Sequence, residues 1–283
     1  MKIDGKTKVC AVIGNPVEHS LSPTIHNAAF HERGLNFCYV AFQVENLPLA
    51  IAGVRGFNIV GLSVTIPHKV AILKYLDEIE TTAQHIGSVN TVIHKDGRLI
   101  GYNSDGFGAL KALQNARVTL DGKRIVILGS GGASRAVAFT LSNACKLKEM
   151  TLLGIRRDEL ENLAKDLERA FPISLVWELL DQDSLQRHIP LADGIIHCTP
   201  IGMSPNPEQT IVPPSLLSGN QFVFDIVYTP LRTRLLNDAG RAGCRTIPGI
   251  EMFLHQAGFQ FELWTGQKAP LERMREVVTE YFR

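Results

Sequence analysis

Arg124-Ile125-Val126-Ile127-Leu128-Gly129-Ser130-Gly131-Gly132-Ala133-Ser134-Arg135-Ala136 decides how this chain is read. Arg124 to Leu128 reads as a compact strand, apolar without alternation after its first residue, as in a strand covered on both faces of a parallel sheet. A glycine-rich turn follows, and a helical pattern then runs from Ala133 to about Ala144. Strand, glycine turn and helix in that order bring free backbone N–H groups and the positive end of a helix dipole to one point. Such a point suits a pyrophosphate. Gly129, Ser130, Gly131, Gly132 and Ala133 are therefore candidate contacts for a dinucleotide, with a purely structural turn as the plainer alternative.

Downstream, Met150 to Leu153 reads as the next strand. Asp158 to Ala170 reads as an amphipathic helix with Leu160, Leu163, Ala164 and Leu167 on one face. Gly194 to His197 and Phe222 to Ile226 are further strands, which makes a doubly wound α/β unit. The selector for the cofactor ribose belongs at the end of the second strand, where Gly154-Ile155-Arg156-Arg157-Asp158 stands. Arg156 and Arg157 suit a 2′-phosphate, hence NADP. Asp158 could instead hold a ribose hydroxyl, which keeps NAD open.

Upstream, Val9 to Ile13 reads as a strand that ends in the turn Gly14-Asn15-Pro16. Ser22-Pro23 opens a helix through Phe30, with Ser22 as N-cap and Pro23 at the first helical position. Cys38 to Val44 and Gly56 to Thr65 read as strands and Val70 to Leu76 as a helix. Val89 to His94 and Arg98 to Tyr102 form a hairpin about Asp96-Gly97. The expected architecture is α/β in two domains: an N-terminal α/β substrate domain over 1–105 and a Rossmann-type nucleotide domain over 106–251. The helical tail 252–283 is expected to pack back on the first.

Of the 283 residues, 45% are hydrophobic and 20% charged, and the net charge is +1. That balance gives no field to draw nucleic acid or an anionic membrane. Cys10, Cys38, Cys145, Cys198 and Cys244 are scattered, with no C-x-x-C pair, and the histidines lack metal-ligand spacing; neither a zinc knuckle nor a redox dithiol is suggested, and no metal is expected. The opening MKIDGKTK lacks the apolar stretch of a signal peptide, so a soluble cytoplasmic protein is expected.

Several segments then resemble, in order, those of shikimate dehydrogenases. They are Gly14 to Pro23 (GNPVEHSLSP), Ser63 to Lys69 (SVTIPHK), Gly87 to Thr91 (GSVNT), Gly101 to Gly106 (GYNSDG), the glycine loop, Cys198 to Met203 (CTPIGM) and Gly249 to Gln256. Together they cover nearly the whole chain. The resemblance implies an oxidoreductase acting on a CH–OH group, reducing 3-dehydroshikimate to shikimate with NADPH, reversibly, in chorismate and aromatic amino-acid biosynthesis. Reduction of a ring ketone needs a hydride and a proton for the developing alkoxide, and the resemblance makes Lys69 and Asp105 the catalytic pair. On residues alone, Lys69 would be a surface charge and Asp105-Gly106 a turn.

Ser20 and Ser22 flank Leu21; in an extended segment their hydroxyls point the same way, and the resemblance gives them the substrate carboxylate. It gives Thr65, Asn90 and Gln256 the ring hydroxyls, counts Tyr228 among the substrate contacts, and adds Thr199, Gly202, Met203 and Gly249 to the cofactor contacts. Ser63 stands where the commonest family pattern has Asn, so its substrate contact is expected to be shorter or water-mediated. His197, also at an Asn position of the family, reads as a satisfied strand-end histidine. The expected partners are shikimate and 3-dehydroshikimate, with quinate as the alternative substrate, and the chain is expected to be a monomer or homodimer. The rivals are an NAD-preferring quinate/shikimate dehydrogenase, a non-catalytic metabolite sensor on the same fold, and another Rossmann enzyme such as a folate dehydrogenase.

Overall fold

The computed structural model describes residues 3–282; Met1, Lys2 and Arg283, at the outer ends of the expected first domain and tail, lie outside the described residues. The elements in order are β1 (Lys8–Gly14), α1 (Ser22–Glu32), β2 (Phe37–Gln43), α2 (Leu47–Gly56), β3 (Gly61–Val64), α3 (His68–Ala71), β4 (Glu78–Ile79), α4 (Thr81–Ile86), β5 (Thr91–Lys95), β6 (Arg98–Tyr102) and α5 (Ser104–Asn115). There follow β7 (Arg124–Leu128), α6 (Gly132–Ala144), β8 (Glu149–Gly154), α7 (Arg157–Ala170), β9 (Leu175–Leu179), α8 (Gln182–His188), β10 (Gly194–His197), β11 (Phe222–Asp225), α9 (Arg234–Arg241), β12 (Arg245–Pro248), α10 (Gly249–Thr265) and α11 (Leu271–Tyr281). The chain divides into two compact units. One runs to Ser104 and resumes at Leu254; the other is Asp105–Phe253.

The first unit holds a six-stranded sheet in the order β2-β1-β3-β5-β6-β4. β1 pairs parallel with β2 and β3, while β5 runs antiparallel to both β3 and β6. β1 is an interior strand, and its run Cys10 to Gly14 is buried, which is why it reads as uninterrupted apolar sequence. The β5–β6 turn places Asp96 and Gly97 at φ 52° and 75°, the left-handed pair that a two-residue hairpin requires. Ile13, Leu62, Val64, Ile51, Val54 and Ile72 form part of one core cluster. The returning chain closes the unit: Phe261 stacks on Phe30 at 5.5 Å, and Trp264 Nε1–H donates to Val92 O at 3.0 Å. A Cβ on Gly61 would stand 2.1 Å from the Trp264 ring, so this glycine makes the close approach possible.

Three local expectations need correction. The strand expected from Gly56 is only Gly61–Val64, because Gly56 ends α2, Phe57 is exposed and Asn58 turns left-handed at φ 52°. The helix expected over 70–76 is the single turn α3 followed by a 3₁₀ turn, Ile72–Tyr75. Leu21, not Ser22, occupies the N-cap of α1; Ser22 is already helical and no side chain caps that end.

The second unit is an all-parallel sheet in the order β12-β11-β10-β7-β8-β9. Numbered within the unit this is 6-5-4-1-2-3, the doubly wound dinucleotide-binding order. The order reverses between β7 and β10, and the crevice outside the carboxyl ends of those strands is where such sheets take ligands. Val126, Leu128, Ile195, Val223 and Leu235 lie in its core cluster.

Candidate active site

Within the first unit, polar side chains gather around the C-terminal end of β3 and the start of β5. Tyr39 O–H donates to Ser63 Oγ at 2.6 Å, and Ser63 O–H donates to Gln260 Oε1 at 2.8 Å. Gln260 Nε2 donates to Thr91 Oγ1 at 2.9 Å and, at 3.4 Å, to Asn90 O. Thr91 O–H and Ser104 N–H both donate to Asn90 Oδ1 at 2.8 Å, and the Ser104 hydroxyl lies 3.3 Å from Gln256 Oε1. The chain of contacts thus joins three of the expected substrate residues, Ser63, Asn90 and Gln256. Nearly all of it is buried, where a satisfied network is rigid and an unpaired member is costly. The Ser63 hydroxyl has spent its one proton and one lone pair on protein, so it has only a single acceptor site for a ligand.

Tyr39 and Gln260 escaped the sequence reading, as did His26, which stacks on Tyr39 at 4.5 Å with an interplanar angle of 11°. Burial pushes the Tyr39 phenol well above its usual range and the His26 imidazole down to about 3. Gln260 carried a legible signal: it follows Gln256 by four residues on α10, hence shares its face. Tyr39 and His26 meet through long-range packing and left none.

Ser20 and Ser22 are not related by strand alternation. Leu21 is helical in conformation (φ −81°, ψ −5°). Ser22 N–H donates to Ser20 Oγ at 3.3 Å, and the buried Ser22 hydroxyl interacts with the Tyr39 phenol. Thr65 follows β3 at half exposure. Lys69 lies in α3, a turn fixed on both sides: buried His68 donates Nε2–H to Val44 O at 2.8 Å, and Val89 N–H donates to Lys69 O at 2.8 Å.

In the second unit, buried Asp105 opens α5. Tyr228 stacks on Phe253 at 4.7 Å, and burial together with the nearby Asp105 charge raises its phenol pKa. Gly129 has φ +118°, and a Cβ there would stand 2.7 Å from Ser134 Oγ and 3.1 Å from Cys198 O, so only glycine fits. Gly131 is the N-cap of α6 and supplies no side-chain cap, which leaves first-turn N–H groups for a ligand. Cβ atoms on Gly131 and Gly132 would meet nothing within 4 Å, so the loop faces open space. These features fit a dinucleotide pyrophosphate. Across the crevice, Gly202 turns left-handed at φ +83°, Met203 is exposed, and Thr199 is half exposed. Gly249 is required by packing, since its Cβ would stand 2.3 Å from Ile226 O.

Beyond β8, Ile155, Arg156, Arg157 and Asp158 are all exposed. Arg156 pairs with Glu159 one turn on, and the Ser130 hydroxyl in the glycine loop donates to the same carboxylate at 3.2 Å. Glu159 therefore brings a negative charge to the ribose end that the sequence reading overlooked. Its spacing from Arg156, i to i+3 on a helix, was the available sign. Among the described residues no group of three or more His, Cys, Asp or Glu is placed to hold a metal ion, and no helix is long and apolar enough to cross a membrane.

The family profile described as the shikimate dehydrogenase substrate binding domain matches residues 12–92, and that of the shikimate 5′-dehydrogenase C-terminal domain matches residues 249–279. The chain is 43% identical to the shikimate dehydrogenase (NADP(+)) of Methanopyrus kandleri, covering 100% of this chain and 99% of that protein. A shikimate dehydrogenase crystallised with NADP+ superposes with a TM-score of 0.94 at 42% identity, covering 100% of this chain and 98% of that one. The shikimate 5-dehydrogenase of Listeria monocytogenes, in complex with shikimate and NAD, gives 0.92 at 33% identity and 98% of each chain.

Proposed function

Because this chain belongs to the shikimate dehydrogenase family, we infer that it catalyses the reversible, NADPH-dependent reduction of 3-dehydroshikimate to shikimate. The observation that carries this reading is the 6-5-4-1-2-3 sheet with a glycine-only turn and an uncapped helix N-terminus at its switch point, in a chain whose other unit has the matched substrate-binding profile. NADP supplies the hydride acceptor or donor when bound. The N–H groups at Gly131 to Ala133 bind and orient its pyrophosphate, and Thr199, Gly202, Met203 and Gly249 shape the wall beyond it.

Lys69 and Asp105 are the proposed catalytic pair. In the reductive direction Lys69 gives a proton to the developing alkoxide, and Asp105 holds the substrate hydroxyl. Ser20 and Ser22 are assigned the substrate carboxylate, Ser63, Thr65, Asn90 and Gln256 the ring hydroxyls, and Tyr228 a further substrate contact. The enzyme acts as a monomer or homodimer in the cytoplasm. The test is Lys69→Ala and Asp105→Asn: each should lower kcat by ~10²–10⁴-fold with shikimate binding retained. The double variant should be far from additive, because the pair acts as a unit. A near-normal kcat in either single variant overturns the assignment.

One observation favours a second cofactor reading. Glu159, paired with Arg156 and held by Ser130, competes with a 2′-phosphate for that guanidinium, which supports use of NAD alongside NADP.

A further inference from the structure

The carboxyl ends of β10 and β11 carry a buried chain of side chains that the proposed chemistry leaves unused. His197 and Asp225 are register partners across the two strands, each no more than 1% exposed. His197 Nδ1 lies 2.8 Å from Asp225 Oδ1, and Nε2 lies 2.5 Å from Thr199 Oγ1. Asp225 also receives Val227 N–H at 3.1 Å and the Thr233 hydroxyl at 2.5 Å. A carboxylate accepts, so Nδ1 carries the proton that faces it. With that proton on Nδ1, Nε2 is the acceptor site of the ring, and the Thr199 hydroxyl donates to it. Thr199 Oγ1 in turn accepts Ile201 N–H at 3.3 Å. Every hydrogen in this chain has one direction, and the direction is set from the buried end outward.

The outer end lies at the cofactor crevice. Cys198 N–H donates to Leu128 O at 2.8 Å, and Cys198 O would stand only 3.1 Å from a Cβ on Gly129. The segment 198–203 therefore faces the glycine loop at the point where the strand order reverses. Thr199 is the second residue of that segment, and left-handed Gly202 ends its turn. The order carboxylate, imidazole, hydroxyl is that of a hydrolytic triad. Here, however, the hydroxyl oxygen is already bonded to the backbone of its own turn, so the chain orients it and does not activate it.

We propose that His197, fixed by Asp225, is a positioning residue for the dinucleotide: it orients the Thr199 hydroxyl and the turn to Met203, so that this wall of the crevice is preformed before NADP arrives. The proposal rests on the reading above only in taking NADP as the occupant of the crevice. Preformation matters because ordering a loop on binding lowers affinity by the ordering cost.

The test measures NADPH binding by its fluorescence, together with both KM values and thermal denaturation. The proteins are wild type, His197→Ala, His197→Asn, Thr199→Val and the double variant His197→Ala/Thr199→Val. His197→Ala and Thr199→Val should each weaken NADPH binding roughly three- to tenfold, the scale of one buried hydrogen bond. The KM for shikimate should stay within about twofold, a change below one such bond. The double variant should be no weaker than the weaker single one, because both break the same chain. His197→Asn should recover most of the affinity, since its amide donates to Asp225 and its carbonyl accepts from Thr199. Unchanged NADPH affinity in Thr199→Val overturns the proposal, as does a double variant whose losses multiply. Should His197→Ala not fold, Thr199→Val, on a half-exposed and isosteric site, carries the test alone. A wild-type protein that binds NADPH with this variant pattern but does not turn over shikimate overturns the functional reading and leaves the positioning role standing.

Discussion

Replacing Gln260 by leucine asks whether the buried polar chain of the first unit acts as one network. The two side chains are similar in volume, so little cavity is created and the effect comes from hydrogen bonds. Three partners lose a contact: the Ser63 hydroxyl an acceptor at 2.8 Å, Thr91 Oγ1 a donor at 2.9 Å, and Asn90 O, which keeps Val64 N–H, a long contact at 3.4 Å. A buried polar group left unpaired costs about 1–3 kcal/mol. Thr91 keeps its contacts to Asn90 and Ser104, so its loss is partial. One full penalty and part of a second give an expected destabilisation of about 2–4 kcal/mol. The KM for shikimate should rise about tenfold, corresponding to ~1.4 kcal/mol, because Ser63 and Asn90 lose their alignment. The KM for NADP should not follow. Urea denaturation followed by Trp264 fluorescence reads the unit directly; Trp177 is the only other tryptophan and is replaced by Phe in both proteins. Adding Ser63→Ala removes that stranded donor but takes the acceptor from the buried Tyr39 hydroxyl, so the loss should stay about where it is. A destabilisation below about 0.5 kcal/mol, the range of an ordinary surface change, would refute the network.

Other predictions concern pH and cofactor choice. Burial holds the folded His26 pKa at about 3, whereas the unfolded side chain titrates near ~6.5. Between these values the unfolded state binds the extra proton, so stability falls as pH drops through that window, by up to ~1.4 kcal/mol per pH unit from this residue. His26→Phe keeps a ring against Tyr39 and should flatten that acid limb; identical limbs in the two proteins would show that His26 does not set it. Replacing Arg156 and Arg157 together by Ala should raise the KM for NADP by roughly tenfold or more and leave that for NAD nearly unchanged. Glu159→Gln alone should improve NADP use. Equal losses with both cofactors in the arginine variant would mean that these residues do not read the 2′-phosphate.

Legibility in the sequence tracked burial and locality. β7 and β10 are apolar runs covered on both faces, and their limits in the structure are those read from the residues. α7 was equally plain, because Leu160, Leu163, Ala164 and Leu167 form one buried stripe. By contrast β9 is an edge strand with no fully buried residue, so it lacks the apolar signature. α8 is capped by Asp181 and Ser184 and has few apolar residues to set a period. α2 is apolar around most of its circumference, with Leu49 exposed and Ile51 buried, which blurs helical periodicity. The same division holds at the site. The glycine loop is local in sequence and was read from it, but the Tyr39–Ser63–Gln260 chain joins residues up to 197 positions apart. The geometry of Ser20 and Ser22 was misjudged because the helical conformation begins one residue early, at Leu21.

The most direct test of the central claim is a set of initial rates with shikimate and with quinate, each with NADP and with NAD, at one ionic strength. Family membership and the crevice geometry predict the highest kcat/KM for shikimate with NADP, exceeding that for shikimate with NAD by about tenfold or more, the scale of one charge-assisted phosphate contact. A higher kcat/KM for quinate with NAD would contradict the account, and would make Asp158 or Glu159, rather than the arginines, the residues that read the ribose.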